Sequence, residues 1–135
     1  MATLKLEIVT PEAKTYSEDV DMVTLPGVEG EMGIYPQHIS LMTQLAAGEI
    51  GVRKGGQDFY LAVGEGFAQV TGDKVAIMTD MAIKAEDIDE AKAEEARKRA
   101  EARLSEKLDD EETVMVQAAL AHSLAQLNVK RRGRR

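Results

Sequence analysis

Cysteine and tryptophan are both absent from these 135 residues, and only two Phe and three Tyr are present. Without cysteine, disulfides, thiolate metal sites and a cysteine nucleophile are excluded. With so few aromatics, the core must be aliphatic, built from Val, Ile, Leu, Met and Ala. No stretch approaches the ~20 apolar residues that span a bilayer. The segment Met1-Ala2-Thr3-Leu4-Lys5-Leu6-Glu7 lacks the basic region and long apolar run of a leader peptide. Any service to a membrane is therefore expected through a partner, without direct insertion.

Catalytic signals are equally sparse. The two histidines, His38 and His122, are far apart in the chain and share no acid cluster of ligand spacing, so no metal site is expected. Ser17, Ser40, Ser105 and Ser123 are the only serines, and none sits in a G-x-S-x-G context. The acids are numerous but crowd onto charge-dense helical surface, where solvation explains them better than a carboxylate pair in a pocket. Lys54-Gly55-Gly56 and Gly64-Glu65-Gly66 lack the spacing and the following Lys-Ser/Thr of a phosphate loop. No catalytic residue is expected, and a small enzyme working through scattered acids is the weaker alternative.

The net charge of −7 is unevenly spread. Residues 1–83 carry a balance of −7, residues 84–129 carry −5, and Lys130–Arg135 carry +5. An acidic body argues against nucleic-acid binding, although the basic end could recruit an acidic partner.

Glycine and proline divide the chain. All three prolines lie at or before Pro36, and ten of the eleven glycines lie at or before Gly72. A long breaker-free stretch follows a turn-rich one, which marks a boundary between two kinds of structure. In the first part Leu4, Leu6 and Ile8 alternate with Lys5, Glu7 and Val9. Val20, Met22 and Thr24 form a second alternating run, closed by Pro26-Gly27. Ile50 with Val52, then Phe59, Leu61 and Val63, then Phe67 to Val70, then Val75 to Thr79 follow. Short alternating runs with turns between them predict a sandwich or barrel.

The second part predicts two helices. Asp87 followed by Glu90, and Asp109 followed by Glu112, have the capping-box shape. Ala96, Ala100, Leu104 and Leu108 form one apolar stripe, and Val116, Leu120, Leu124 and Leu127 a second. Their short connection predicts an antiparallel pair. Alanine-rich stripes bury little area, so the pair should be only marginally held and able to move. The fold class is therefore α+β: an N-terminal antiparallel β-sandwich or barrel over 1–84, then an antiparallel helical hairpin with a basic tail over 85–135.

The stretch Glu29 to His38 packs two glycines, Pro36, Tyr35 and His38 into one loop-like segment, suited to a sheet crossover or a shaped docking edge. Gly30-Glu31-Met32-Gly33-Ile34-Tyr35-Pro36-Gln37-His38 is similar to the G-x-x-G-I-x-P-x-H motif of the epsilon chains of bacterial F-type ATP synthases. Tyr60 to Val70 resembles that family's G-G-F strand pair, with Glu65 in place of the usual glycine. Ala85-Glu86-Asp87-Ile88-Asp89 resembles its linker into a helical hairpin.

The resemblance implies a non-catalytic rotor subunit of a proton-translocating F-type ATP synthase. Its sandwich would dock on the gamma stalk subunit and the polar loops of the membrane c-ring, with Glu31, Gly33, Tyr35, Pro36 and His38 as partner-binding residues. Its hairpin would lie folded or extend toward the catalytic alpha/beta head and restrain ATP hydrolysis. The basic residues Lys130–Arg135 would then pair with acids of the head. The implied location is peripheral, on the cytoplasmic face of a bacterial inner membrane. Some members bind ATP through an I/L-D-x-x-R-A motif. Here the matching positions are Ile88, Asp89, Lys92 and Ala93, with Arg99 nearby and His122 and Gln126 on the second helix. Lysine at 92 lacks the arginine fork, so only weak ATP binding is expected, and no other cofactor.

Overall fold

The computed structural model describes residues 2–12 and 14–132, without the side chains of 14 and 15. Ten strands run in order: β1 (Leu4–Val9), β2 (Lys14–Val20), β3 (Met22–Gly27), β4 (Gly30–Ile34), β5 (His38–Leu45), β6 (Gly48–Lys54), β7 (Gln57–Val63), β8 (Gly66–Gly72), β9 (Lys74–Thr79) and β10 (Ala82–Lys84). A 3-10 turn over Ala85–Asp87 leads into α1 (Glu90–Leu104) and α2 (Asp110–Arg132).

The strands hydrogen-bond in the order β10-β7-β6-β3-β5-β8-β9-β1-β2, with β4 beside β3. Pairings are antiparallel except β1 with β9, where Leu6 lies beside Val75 and Ile8 beside Ile77 in parallel register. β3 is in register with β5 only at Gly27–Leu45, and there the path folds into two layers. Leu4, Leu6 and Ile8 from one layer share a single buried cluster with Ile50, Val52, Leu61 and Val63 from the other. The core is aliphatic, as the composition requires, with Tyr16 its one aromatic member.

Period-two alternation places β1, β8 and β9 correctly, but three local readings are overturned. Met22 and Thr24 do not lead β3 inward; Val23 and Leu25 do, each fully buried. The bend at Asp21, whose N–H donates to the Arg53 carbonyl (2.8 Å), resets the alternation after Val20. Pro26-Gly27 does not close the strand but belongs to it. Proline is tolerated because β3 pairs with β6 up to Thr24 and with β5 only from Gly27, leaving Pro26 between two ladders. The stretch from Glu29 to His38 is therefore a hairpin strand, β4, followed by a turn, and not one loop. β5 carries no clean alternation, because its only fully buried apolar residue is Leu45.

The helices show similar shifts. The N-cap of α1 is Asp89, whose carboxylate accepts from the Lys92 N–H (3.1 Å), while Asp87 ends the 3-10 turn. Asp109 caps α2 as its position suggests, accepting from the Glu112 N–H (2.7 Å). Glu112 does not complete a box; it pairs with Arg103 of α1 (3.1 Å). Ala93 joins Ala100 among the buried residues of α1. On α2 Leu127 is buried, but Leu124 is 40% exposed. Ser123, Ala125, Leu127 and Val129 instead form the buried face, because α2 packs against two surfaces, α1 on one side and the sheet on the other.

The hairpin lies on the outer face of β6 and β7. A second, separate cluster forms there from Ala62, Ile88, Ala125 and Val129, flanked by Tyr60, Met81, Ile83 and Ala85. Leu61 and Val63 of β7 face the sandwich core, whereas Tyr60 and Ala62 face this second cluster. One strand thus serves two cores through its alternating faces.

Candidate functional site

The first candidate surface follows β4 into β5. Glu31 is exposed on β4 opposite Pro26, and Gly33 lies opposite Thr24. A Cβ at Gly33 would meet the Met22 Cε at 3.1 Å, so glycine keeps this edge thin. Tyr35 is 58% exposed, and Pro36 leads into Gln37, whose φ of 66° is left-handed. That conformation is fixed by the Gln37 N–H donating to the Asp73 carboxylate (2.9 Å), which ties the turn to the β8–β9 turn. His38 Nδ1 lies 2.7 Å from the Ile39 carbonyl, and Ile39 is 81% exposed. Tyr35, Pro36, His38 and Ile39 thus present a rigid, mixed apolar and polar corner. Glu31 stands apart, lining a cavity with Glu49, Arg53, Tyr60 and Arg132. The sequence spacing alone had put it with His38.

A second surface had no sequence reading. Val9, Met78 and Phe67 lie in register across β1, β9 and β8, and Met42 adjoins them on β5. All four point outward and are substantially exposed. They form an apolar stripe on the layer opposite the hairpin. A contiguous exposed apolar strip of this kind marks an interaction surface. The signal was present as the residues between the inward ones, which alternation arguments assign to solvent and then ignore.

The third surface is the hairpin base. Ile88 is buried in the second cluster, and Ala93 is buried on α1. Asp89 is committed as the helix cap. Lys92 and Arg99, seven residues apart, share an exposed face of α1. The two α2 positions that would complete an anion site point elsewhere. His122 Nε2 lies 3.2 Å from the Asp80 carboxylate, and Gln126 Nε2 lies 3.9 Å from the Met81 sulfur. Both therefore face the β9–β10 turn, and the structure does not gather the five α1-side residues with them into one pocket.

Electrostatics reinforce the folded arrangement. Arg97 bridges Glu94 and Glu101 along α1. These hydrogen bonds, Arg97 first, hold the Glu94 carboxyl below the usual range. Arg131 of α2 also reaches Glu94 (2.9 Å) and Glu90 (3.4 Å), joining the helices. Near the β2 edge, burial and then the neighbouring Glu18 carboxylate push the Tyr16 hydroxyl well up. The same Tyr16 hydrogen bond, with Lys54, draws Glu18 down. Of the basic tail, Lys130, Arg131 and Arg132 are placed, whereas Gly133–Arg135 lie outside the described residues. No described helix is long and apolar enough to cross a membrane.

Comparison with known proteins covers both parts. Residues 3–85 match the model of the ATP synthase delta/epsilon chain beta-sandwich domain, and residues 86–131 that of its long alpha-helix domain. A Dehalococcoides mccartyi protein described as ATP synthase epsilon chain is 50% identical over 107 residues, 79% of this chain and 76% of that one. A Syntrophobacter fumaroxidans protein of the same description is 45% identical over 126 residues, 93% of this chain and 94% of that one. A chain in a solved Euglena gracilis mitochondrial ATP synthase (OSCP/F1/c-ring) superposes with a TM-score of 0.78 at 29% identity, covering 95% of this chain and 81% of that one. A chain from the Tetrahymena thermophila mitochondrial ATP synthase central stalk and c-ring shares the fold, with a TM-score of 0.55 at 14% identity.

Proposed function

We infer the working surfaces of this protein from one premise: the chain belongs to the ATP synthase delta/epsilon family, through both its sandwich and its helices. It is a non-catalytic central-stalk subunit, associated peripherally with the membrane-bound complex. The sandwich, residues 1–84, is the fixed dock, and residues 85–135 are the regulatory hairpin.

The observation that carries this division is the placement of Val9, Met78, Phe67 and Met42 opposite the hairpin. We assign this stripe to the gamma stalk subunit. Its row is apolar and backed by the sandwich core, which suits a permanent contact. The corner of Tyr35, Pro36 and His38, together with Gly33 and Glu31, is assigned to the polar loops of the c-ring. There an exposed carboxylate and an imidazole can form charge-assisted hydrogen bonds. The assembly then sits on the cytoplasmic face of a bacterial inner membrane.

The test is a binding titration of the full chain with the gamma subunit. Phe67→Glu places a charge at the centre of the stripe and is expected to weaken binding by at least about tenfold. Circular dichroism should be unchanged, because Phe67 makes no part of the core. Unaltered affinity for Phe67→Glu would remove the assignment.

The hairpin acts as a brake by leaving the sheet and reaching the catalytic alpha/beta head. Support comes from its separate, small-residue cluster on the sheet. ATP binds at most weakly to Ile88, Asp89, Lys92, Ala93 and Arg99, since two of these are packed, one caps the helix, and His122 and Gln126 face away. Calorimetry showing a tight, Asp89-dependent ATP complex would contradict this.

A further inference from the structure

α2 is seated on β6 and β7 through a limited cluster of Ala62, Ile88, Ala125 and Val129, with Tyr60, Met81 and Ile83 partly buried against it. Such a seam gains little from apolar area, so the polar contacts at its edges weigh heavily in its position. At the C-terminal end three consecutive cations reach three different elements. Lys130 Nζ donates to the Ala85 carbonyl (3.2 Å), on the linker. Arg131 pairs with α1 and so travels with the hairpin. Of these three cations only Arg132 crosses to the sandwich, which His122 also reaches from farther back along α2, 3.2 Å from the Asp80 carboxylate. The Arg132 Nε donates to Glu49 Oε2 at 3.0 Å, and its Nη2 donates to the other carboxylate oxygen. Its guanidinium also sits 4.7 Å from the centroid of the Tyr60 ring. The fork and the stacking are both properties of a planar guanidinium that lysine does not reproduce. Glu49 is only 23% exposed, so the pair is less screened than an ordinary surface contact.

We propose that Arg132, clamped between Glu49 and Tyr60, is the latch that holds the hairpin on the sheet, and that an acidic partner surface releases it by competing with Glu49 for the same guanidinium. The inference rests on the reading of the hairpin as a movable brake. It changes the role of the basic end of α2. In the folded state these cations are already engaged, so extension exchanges one set of carboxylates for another. The set point of the brake is therefore a difference between two ion-pairing states, and one residue controls both sides.

The cysteine-free chain allows a direct measurement. Nitroxide labels at Thr71→Cys on the sandwich and Val114→Cys on α2, both exposed, report the fraction of full-length chain with the hairpin released. Arg132→Gln and Glu49→Gln are each expected to raise that fraction about fivefold. The double variant should equal either single one, and Arg132→Lys should fall between. Raising sodium chloride to about 0.5 M should narrow the gap between the parent chain and the variants without closing it, because the half-buried pair is only partly screened. An unchanged distance distribution for Arg132→Gln, or additive effects in the double variant, overturns the latch. Either result leaves the docking assignment standing, because that depends on the Phe67 titration; loss of that assignment in turn leaves the latch measurement untouched.

Discussion

Replacing Ile88 with alanine separates two descriptions of this molecule. If the sandwich and hairpin are held by different cores, damage to the small one must stay local. Ile88 is 4% exposed and is the bulkiest fully buried member of a cluster otherwise made of Ala62, Ala125 and Val129. Truncating a buried isoleucine to alanine costs about 2–5 kcal/mol. The low end applies here, because the cluster lies on an outer sheet face, where the partly buried Tyr60, Met81 and Ile83 can relax into the space. A loss of about 2 kcal/mol corresponds to roughly a 30-fold shift in the opening equilibrium. The measurement is native-state hydrogen exchange. Amides of Ser123 to Val129 should lose roughly 30-fold of their protection, while those of β1, β8 and β9 keep theirs. A uniform fall in protection across the strands and α2 would refute the argument, since it would mean one cooperative core.

Two other perturbations act on the sandwich. A Cβ at Gly66 would overlap the Met78 carbonyl oxygen across the β8–β9 ladder. Gly66→Ala should therefore destabilise the chain by about 1–3 kcal/mol, read as a lower urea midpoint with an unchanged slope. The raised Tyr16 titration sets a pH window. A group whose folded value is raised contributes stability that is complete below its unfolded value and is lost above it. Stability should thus fall as pH climbs past the ordinary tyrosine value near 10. Tyr16→Phe should flatten that decline in denaturant melts above this pH, and an identical slope in both chains would show that another group is responsible.

Much of the architecture was legible because it rests on simple periodicities. Leu4, Leu6 and Ile8 announce β1, and the loss of glycine and proline after Gly72 points to the change from sheet to helix, although β9 and β10 still follow before α1 begins at Glu90. What escaped depends on contacts between distant elements. β3 was placed on the wrong face because one bend residue, Asp21, is fixed by Arg53 thirty-two positions later. Leu124 was placed inside because its stripe assumes one packing partner, and α2 has two. The stripe of exposed apolar residues is illegible for a deeper reason. Alternation says which residues leave the core, but only strand register says that Val9, Met78 and Phe67 leave it side by side. In the same way Arg132 and Glu49 are 83 positions apart, and no local pattern joins them.

The arrangement of faces explains how one small chain can hold fast and let go at once. Val9, Phe67 and Met78 leave the core on one layer, and Glu49, Tyr60 and Ala62 leave it on the other, beneath the hairpin. Between them lies a close-packed aliphatic core that transmits little when a surface helix leaves. Lifting α2 uncovers Tyr60, Ala62 and Glu49 but breaks no strand pairing, since α2 contributes no ladder bond. The stripe of Val9, Met78 and Phe67 is therefore left unaltered when the helix leaves, whereas Glu31, which lines a cavity with Glu49 and Arg132, is not. The converse also holds: the stripe of Val9, Met78 and Phe67 can be covered by a partner without touching Ile88 or Arg132. Regulation must enter where the two sides are joined, and that is the single crossing from Lys84 to Asp89 together with the ion pairs that span it. A partner that alters the hairpin does so by competing for those charges, not by deforming the sandwich.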